Sequence, residues 1–431
     1  MAYLVFADRK GRISDHPTLE MGGASGATWV RVPDEQLIPL PEGARLFTMP
    51  GAHPVGWDGA RDGFGAVKAV GRRQATAVGA FLPPGYMRTH LPAAFYPDPS
   101  AAPYLPLWAY TAVGWRDGQF LAAGVRVDAM DHQEPWQYDD RTLLPLISTR
   151  LAEQPGNRLW HQLRRCATEY HCLCAKNGFY RRWEAPLPVA FACNADCVGC
   201  ISLQTEGLVP ASHERVTVVP TVEELSAVAR AHLTEAEEAI VSFGQGCEGE
   251  PLLEGALIEA TIRRVRAQTD RGTIHLNTNG SLPRVVERLC RAGLDSIRVS
   301  LNAIRPETYA AYYRPKHYGF ADVVESIRTA GAEGCYTAIN LLVFPGVSDR
   351  EEEVEGLLRL VAETGVDLIQ VKNLNIDPRR YLESLPPPRG RAIGMRELLR
   401  TIRREAPEVE IGYFNRPKEH FGRSAAQALA F

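Results

Sequence analysis

The sequence predicts an α/β fold: a partial (β/α)6 TIM-like barrel with an N-terminal mostly β accessory domain. Two observations support this prediction. From Leu187 onward, short apolar runs alternate with segments of helical periodicity, which is typical of a parallel sheet with right-handed crossovers. Residues 1–150 are instead rich in proline, glycine and aromatic residues. We therefore expect two parts of different architecture.

The N-terminal part, the predicted accessory domain, contains one strong hairpin signal. Two runs of strand-like composition, 107–115 and 119–127, flank Asp117-Gly118, a dipeptide that accepts the positive φ of a tight primed turn. The run 3–8 predicts a further strand. Seven prolines fall within residues 82–106, which we expect to form an ordered loop or linker.

The remaining chain divides into three predicted segments. A helical connector is expected over 151–184, the barrel core over 185–380 and a C-terminal extension over 381–431. The extension is predicted to hold a helix at 395–404 and a strand at 409–414.

The barrel core accounts for six predicted strands. They are 187–192, 239–243, 273–278, 296–301, 337–343 and 367–371. The predicted helices between them are 222–233, 252–268, 284–292, 320–331 and 350–364. Thr221 and Glu224 form the sequence signature of a capping box at the start of the first of these helices. Active sites of such barrels lie at the rim formed by the C-terminal ends of the strands.

Three cysteines follow the first predicted strand and therefore belong to that rim. They occur as Cys193-Asn-Ala-Asp-Cys197-Val-Gly-Cys200. Three thiolates on one loop can hold three corners of an iron–sulfur cube and leave the fourth iron open to a small molecule, whereas electron-transfer ferredoxins normally supply all four thiolates. The spacing therefore predicts chemistry at the metal.

Composition narrows the class of protein. The chain has 431 residues, a formal net charge of −3 and nine cysteines. An odd, unevenly distributed set of cysteines without a secretory signal favours reduced thiols and metal ligation in a cytoplasmic protein. No apolar stretch reaches the length of a membrane span. The acidic balance gives no basic footprint for nucleic acid, so a nucleic-acid partner is not expected, although modification of RNA stays open as a third alternative.

Polar residues also follow the later predicted strands. Gly249-Glu250-Pro251 comes after the second strand, and a carboxylate with turned backbone carbonyls suits an ammonium group. Asn279 lies in the Asn-Thr-Asn-Gly-Ser stretch that ends the third strand. Alternation in the fourth strand places Arg298, Ser300 and Asn302 on one face.

Together these motifs resemble the radical S-adenosylmethionine (radical SAM) superfamily over about residues 185–375. The resemblance implies that Cys193, Cys197 and Cys200 ligate a [4Fe–4S] cluster and that SAM chelates the open iron. It further implies reductive cleavage of SAM to methionine and a 5′-deoxyadenosyl radical, which abstracts hydrogen from an unidentified substrate. An electron donor of the flavodoxin or ferredoxin type would be the partner.

The resemblance also implies which residues bind SAM. The Gly249–Pro251 motif would hold the amino group, with Asn279 in a supporting stretch. Ser300 and Asn302 would contact the ribose and Arg298 the carboxylate. Asn340, in the fifth predicted strand, would contact the ligand near adenine or form a satisfied core amide.

One position departs from the family pattern. The residue before the third cysteine is usually aromatic, and here it is Gly199. Its backbone could contact the adenine, but the side chain that packs against the adenine must come from elsewhere in the chain.

The other cysteines leave alternatives open. Cys166, Cys172 and Cys174, completed by His171 or Cys247, could ligate an auxiliary cluster. Buried apolar packing on a helix is the favoured alternative, because Cys172 and Cys174 would point to different helix faces. Cys247 lies at the predicted rim, where its thiol could return a hydrogen atom to a substrate radical.

A protein of another class is the main alternative interpretation. A non-catalytic iron–sulfur or zinc-binding scaffold would also use a cysteine loop, although zinc usually takes a fourth Cys or His at similar spacing, and this loop has none. The Gly249–Pro251, Ser300 and Asn302 matches count against the scaffold.

Overall fold

The computed structural model describes residues 1–422. The last part of the predicted C-terminal extension, residues 423–431, lies outside the described residues. Within residues 1–422, no helix is long and apolar enough to cross a membrane.

The N-terminal region is mostly β, as predicted. Its strands are β1 (Tyr3–Ala7), β2 (Ile13–Ser25), β3 (Thr28–Arg31), β4 (Leu37–Pro39), β5 (Arg45–Met49), β6 (His53–Asp58), β7 (Gly63–Ala66), β8 (Ala69–Val70), β9 (Arg73–Gln74), β10 (Thr76–Phe81), β11 (Tyr86–Arg88), β12 (Leu91–Pro92), β13 (Ala94–Phe95), β14 (Val113–Arg116) and β15 (Gln119–Arg126). Thirteen of them form one antiparallel sheet, and β8 pairs with β9 alone. The predicted hairpin is confirmed: β14 pairs with β15 across Asp117 and Gly118, which have φ of 50° and 82°.

Three helices connect this region to the barrel. They are α1 (Asp140–Glu153), α2 (Arg158–Thr168) and α3 (Leu173–Tyr180). The predicted boundary between residues 150 and 151 falls inside α1, and the domain boundaries stay predictions.

Seven parallel strands then form one curled sheet in sequential order, a partial barrel. They are β16 (Arg182–Pro186), β17 (Glu237–Phe243), β18 (Thr273–Thr278), β19 (Ser296–Leu301), β20 (Tyr336–Val343), β21 (Leu368–Asn373) and β22 (Glu410–Gly412). The helices that follow them along the chain are α4 (Val222–Glu235), α5 (Gly255–Arg266), α6 (Pro283–Ala292), α7 (Pro306–Tyr313), α8 (Phe320–Ala332), α9 (Glu351–Thr364), α10 (Pro378–Ser384) and α11 (Met395–Glu405). The capping box of Thr221 and Glu224 is confirmed at the start of α4.

The prediction of the first barrel strand was wrong. The strand is β16, and the apolar run 187–192 follows it. Leu187 N still donates to Ser242 O at 2.8 Å, but the amides of Val189 and Ala190 leave the ladder and donate to the Glu248 carboxylate. The run is apolar because residues 187–190 are buried, not because they extend the strand.

Three further elements differ from the prediction. β22 is the strand predicted at 409–414, but it pairs in parallel with β21 and so adds a seventh strand to the barrel sheet. The short helices α7 and α10 were not predicted, because seven or eight residues carry little periodicity. Both begin with Pro at the first helical positions, a start signal that the prediction did not use.

The N-terminal sheet packs against the rim of the barrel. The fully buried guanidinium of Arg88, in β11, donates to Leu374 O at 3.0 Å. Asn373, at the end of β21, accepts from Arg88 N at 2.9 Å and donates to Tyr86 O at 2.8 Å. Gly26 N donates to Pro345 O just beyond β20 at 2.8 Å. The N-terminal region therefore covers the C-terminal ends of β20 and β21.

Candidate functional site

The loop with the three cysteines is held against α7. Asp196 N donates to Tyr313 O at 3.0 Å, and Val198 N donates to Tyr312 O at 2.9 Å. Inside the loop, Cys200 N donates to Cys197 O at 3.1 Å. The unpredicted helix α7 therefore fixes the backbone that carries the thiols.

The three thiols are half-buried neighbours. Burial raises the pKa of Cys193 to about 11. Burial also raises the pKa of Cys197, and the nearby Cys200 and Cys193 raise it further. Among the residues that the structure describes, no three His, Cys, Asp or Glu side chains converge on one metal ion.

Two side chains that sequence reasoning missed contact Cys200. Arg215 Nη2 donates to Cys200 Sγ at 3.3 Å, and Ser202 Oγ lies 3.6 Å from the same sulfur. Arg215 is held in place because its Nε donates to Ser202 Oγ at 3.1 Å. A cation beside a cysteine sulfur suits the negative charge that a metal-bound thiolate carries.

A tyrosine from α7 fills the space beside Gly199. A Cβ added at Gly199 would lie 2.9 Å from Tyr312 Oη and 3.3 Å from its ring. The ring of Tyr312 is almost fully buried and contacts Tyr381 edge-on at 5.7 Å between centroids. An aromatic ring from 113 residues further along the chain therefore lies beside position 199.

Gly249 and Glu250 join the end of β17 to the cysteine loop. Gly249 N donates to Ala190 O at 2.7 Å, and Glu250 N donates to Ala192 O at 2.9 Å. A Cβ at Gly249 would lie 1.9 Å from Ala192 O, so only glycine permits this approach.

The Glu250 carboxylate is buried and reaches the end of β18. It accepts from Thr278 Oγ1 at 2.5 Å, Asn279 N at 2.8 Å and Leu252 N at 2.9 Å. Burial raises its pKa to about 7, against these donors. Asn279 Nδ2 in turn donates to Asn194 Oδ1 at 2.8 Å, within the cysteine loop. The structure thus brings together the cysteines, Gly249, Glu250 and Asn279.

The carboxylate of Glu248 was missed by the sequence analysis. It accepts four backbone N–H groups, two from residues 189 and 190 and two from residues 244 and 245, at 2.7–2.9 Å. It is 5% exposed, and burial raises its pKa to about 7. Glu248 therefore ties the segment entering the cysteine loop to the loop after β17.

The predicted residues on β19 and β20 fall into two environments. Asn340 Nδ2 donates to Ser300 Oγ at 3.1 Å, so these two side chains face each other across neighbouring strands. Arg298 lies on the same strand face, and its Nη1 donates to Gln370 Oε1 at 2.8 Å. Asn302 is fully buried, and its Nδ2 donates to Tyr381 Oη at 3.0 Å. Asn302 therefore packs under α10.

Arg298 belongs to a polar cluster inside the barrel. Glu184 Oε1 accepts from Ser242 Oγ at 2.5 Å and from Asn415 Nδ2 at 2.9 Å. Asn415 Oδ1 accepts from Arg298 at 3.3 Å. Burial lowers the pKa of Lys372 to about 7, and the nearby Arg298 lowers it further. The cluster gives the barrel interior charged groups of both signs.

The thiol of Cys247 is half-buried. It lies beside Cys166, and a hydrogen bond between these thiols lowers the pKa of Cys166 to about 7. The predicted role of Cys247 as a hydrogen donor stays a prediction.

Comparison with known proteins identifies the barrel. Residues 187–361 match the model of the Radical SAM superfamily. Molybdenum cofactor biosynthesis protein 1 of Homo sapiens is 25% identical over 62% of this chain and 39% of its own length. FeMo cofactor biosynthesis protein NifB of Klebsiella pneumoniae is 26% identical over 56% of this chain and 50% of its own length. The chain thus spans half or less of the length of these relatives. A radical SAM methyltransferase structure from Sphaerobacter thermophilus aligns over 54% of this chain and 65% of its own, with 17% identity and a TM-score of 0.36.

Proposed function

This chain belongs to the radical SAM superfamily, and from that membership we propose that it is an enzyme that binds a [4Fe–4S] cluster and SAM. Cys193, Cys197 and Cys200 would hold the cluster. The observation that carries the proposal is that one loop presents three neighbouring thiols, with Glu250 and Asn279 held against that loop. When bound, the cluster supplies the electron that cleaves SAM to methionine and the 5′-deoxyadenosyl radical, which abstracts hydrogen from substrate.

The chain's own residues would bind and orient the cluster and SAM. Arg215 offsets the negative charge of the Cys200 thiolate. The Glu250 carboxylate has about four acceptor sites, of which three side-chain or backbone donors use three. A remaining acceptor site in a buried carboxylate suits the ammonium group of SAM, whose charge would lower the raised pKa of Glu250.

The substrate would enter the barrel interior under the N-terminal region. Arg298, Lys372 and Glu184 offer donors and acceptors there, and Ser300 with Asn340 would contact SAM between that cluster and the rim. The two relatives are named for the biosynthesis of different cofactors, so no substrate is carried over from them to this chain. An electron donor is required, and we propose one of the flavodoxin or ferredoxin type.

The test is spectroscopic and chemical. The anaerobically reconstituted, reduced protein should change its electron paramagnetic resonance spectrum when SAM is added and should then release 5′-deoxyadenosine. Cys197→Ala should abolish both signals, whereas Cys290→Ala, a buried thiol on α6, should leave both unchanged. A colourless protein that binds zinc and gives neither signal would support the scaffold and refute the proposal.

A second prediction concerns the ring beside Gly199. Tyr312→Ala should weaken SAM binding about tenfold, because the ring packs where the adenine is expected, whereas Tyr312→Phe should bind within about twofold of wild type. Equilibrium dialysis of the cluster-loaded protein with SAM measures the affinity. Tyr336→Ala removes a ring at the N-terminal end of β20 and should leave the affinity unchanged. Equal affinity in Tyr312→Ala and wild type would contradict the assignment.

A further inference from the structure

Arg298 and Lys372 are two cations of the interior polar cluster without a paired anion. Arg298 lies on β19 and Lys372 on β21, and both side chains are half-buried. Within residues 1–422, neither forms an ion pair. Asp128 lies within electrostatic reach of Lys372, but its carboxylate is paired with Arg416 at 3.0 Å. Lysine and arginine side chains are rarely removed from solvent without a partner, so these two cations require an explanation.

The strand register places both cations on one face of the sheet. Ser300 pairs with Asn340 and Asn340 with Gln370, so these three residues form one row across β19, β20 and β21. Arg298 comes two residues before Ser300, and Lys372 comes two residues after Gln370. Side chains two residues apart in a strand point to the same face, so both cations adjoin this polar row.

The segment that follows β22 contacts both cations. Asn415 Oδ1 accepts from Arg298 Nη1 at 3.3 Å and from Gln370 Nε2 at 2.9 Å. Two residues earlier, the ring centroid of Tyr413 lies 4.9 Å from Lys372 Nζ. One short segment thus joins the two side chains across the strand between them.

Arg298 keeps one edge of its guanidinium unused. Its Nη1 donates to Gln370 and Asn415, whereas its Nε is buried and has no partner within residues 1–422. Its Nη2 donates to no acceptor in that part of the chain either. Nε and Nη2 form the edge that binds an oxyanion through two parallel N–H···O bonds. A buried donor without an acceptor costs free energy, so a ligand that fills this edge gains affinity.

The carboxylate of Glu184 does not neutralise these cations by contact. Its Oε1 accepts from Ser242 Oγ at 2.5 Å, from Asn415 Nδ2 at 2.9 Å and from Gln245 Nε2 at 3.1 Å. All three donors are neutral. Two cations near one carboxylate leave an excess of positive charge in a region of low dielectric constant, which favours an anion.

On the basis of the proposed function, we propose that Arg298 and Lys372 bind an oxyanion of the substrate, a carboxylate or phosphate group, inside the barrel. Arg298 would hold two oxygens through Nε and Nη2, and the ammonium group of Lys372 would offset the remaining charge. The rest of the substrate would extend toward Ser300 and Asn340, where the proposed function places SAM. A substrate without an oxyanion would leave both cations unpaired and would bind poorly.

The proposal competes with the expectation that Arg298 binds the carboxylate of SAM. The contacts of Arg298 run to β21 and to the segment after β22. The two assignments differ in their effect on SAM affinity. A site for a substrate oxyanion predicts that loss of Lys372 leaves the affinity for SAM unchanged.

The experiment measures thermal unfolding of the cluster-loaded full chain in inorganic phosphate, in acetate and in chloride of equal ionic strength. Phosphate or acetate should raise the melting temperature of wild type by about 2 °C more than chloride does. Lys372→Met should lose this rise, and so should Arg298→Lys, which keeps the charge and loses the two-donor edge. Lys10→Met makes the same change at an exposed position after β1 and should keep it. Exclusion of anions from the protein surface stabilises all variants alike, so the difference between variants reports the site.

The two anions distinguish the source of the group. A larger response to phosphate would indicate a phosphate ester as substrate, and a larger response to acetate would indicate a carboxylic acid. No response in wild type, or an equal response in wild type and Lys372→Met, would overturn the proposal.

Stability without added anion gives a second readout. Lys372→Met should melt at the wild-type temperature or above, because it removes a charge from the barrel interior without leaving a buried anion unpaired. A lower melting temperature, or failure to fold, would show that the cation is structural and would overturn the proposal.

Equilibrium dialysis with SAM separates this inference from the proposed function. Weaker SAM binding in Lys372→Met than in wild type would assign the cations to the SAM carboxylate and would also overturn the proposal. Wild type that binds no SAM would refute the proposed function, whatever the response to phosphate and acetate.

Discussion

Glu248→Gln is expected to lower the free energy of unfolding by about 3–5 kcal/mol and to reduce iron occupancy at the first cysteine loop. The Glu248 carboxylate offers both oxygens as acceptors, with Oε2 facing Val189 and Ala190 and Oε1 facing Gly244 and Gln245. A glutamine keeps the shape but turns an NH₂ donor toward two backbone N–H groups, which would then be buried without acceptors.

Urea denaturation and iron analysis measure the two effects of that substitution. Glu355→Gln on the exposed face of α9 makes the same chemical change at the surface and should shift the free energy of unfolding by no more than about 0.5 kcal/mol. If both variants unfold at the same urea concentration, Glu248 does not hold the two segments together. If Glu248→Gln unfolds earlier but keeps all its iron, its effect on the cysteine loop is ruled out.

Gly346→Ala is expected to destabilise the protein by about 4 kcal/mol or more by displacing the N-terminal sheet from the barrel rim. Gly346 has φ +83°, and an added Cβ would lie 2.0 Å from Gly26 N and 2.4 Å from Ser25 C. Both close atoms belong to the backbone at the β2–β3 turn, so no side chain can rotate away. The hydrogen bond from Gly26 N to Pro345 O would be lost as well.

A matched glycine separates steric conflict from backbone strain. Gly365 also has positive φ, at +64°, but a Cβ there meets nothing within 4 Å, so Gly365→Ala should cost only about 1–2 kcal/mol. Thermal unfolding gives the stabilities, and limited proteolysis reports release of the N-terminal region. Similar melting temperatures for the two variants would show that the contact with Gly26 does not stabilise the docked arrangement.

Features that depend on short spacing were predicted well. The capping box at Thr221 and the Asp117-Gly118 hairpin follow from geometry within four residues, and both are confirmed. Five of the six predicted barrel strands correspond to β17–β21, because strands buried on both faces read as short apolar runs. The strand predicted at 187–192 was wrong for the same reason, because residues that are buried without strand pairing leave the same apolar pattern.

The candidate site was predicted in part. The cysteine loop, Glu250 and Asn279 were recognised from local motifs, and the structure brings them together. Tyr312 and Arg215 were missed because neither lies in a motif, and their contacts with the loop span many residues. Asn302 shares a predicted face with Ser300 but lies past the end of β19, where Tyr381 packs over it.

By itself, the sequence determined which family of reactions this chain can support. Three cysteines within eight residues restrict the metal group that their thiolates can hold, whatever surrounds the loop. Only the tertiary structure decided what surrounds that loop: the Glu248 carboxylate that anchors it, the Tyr312 ring beside Gly199 and the Arg215 guanidinium beside Cys200. Contacts between residues far apart in sequence form only when sheet order and helix packing bring them together, and no local spacing encodes that order. The fold thereby joins Cys166 and Cys247, which are 81 residues apart.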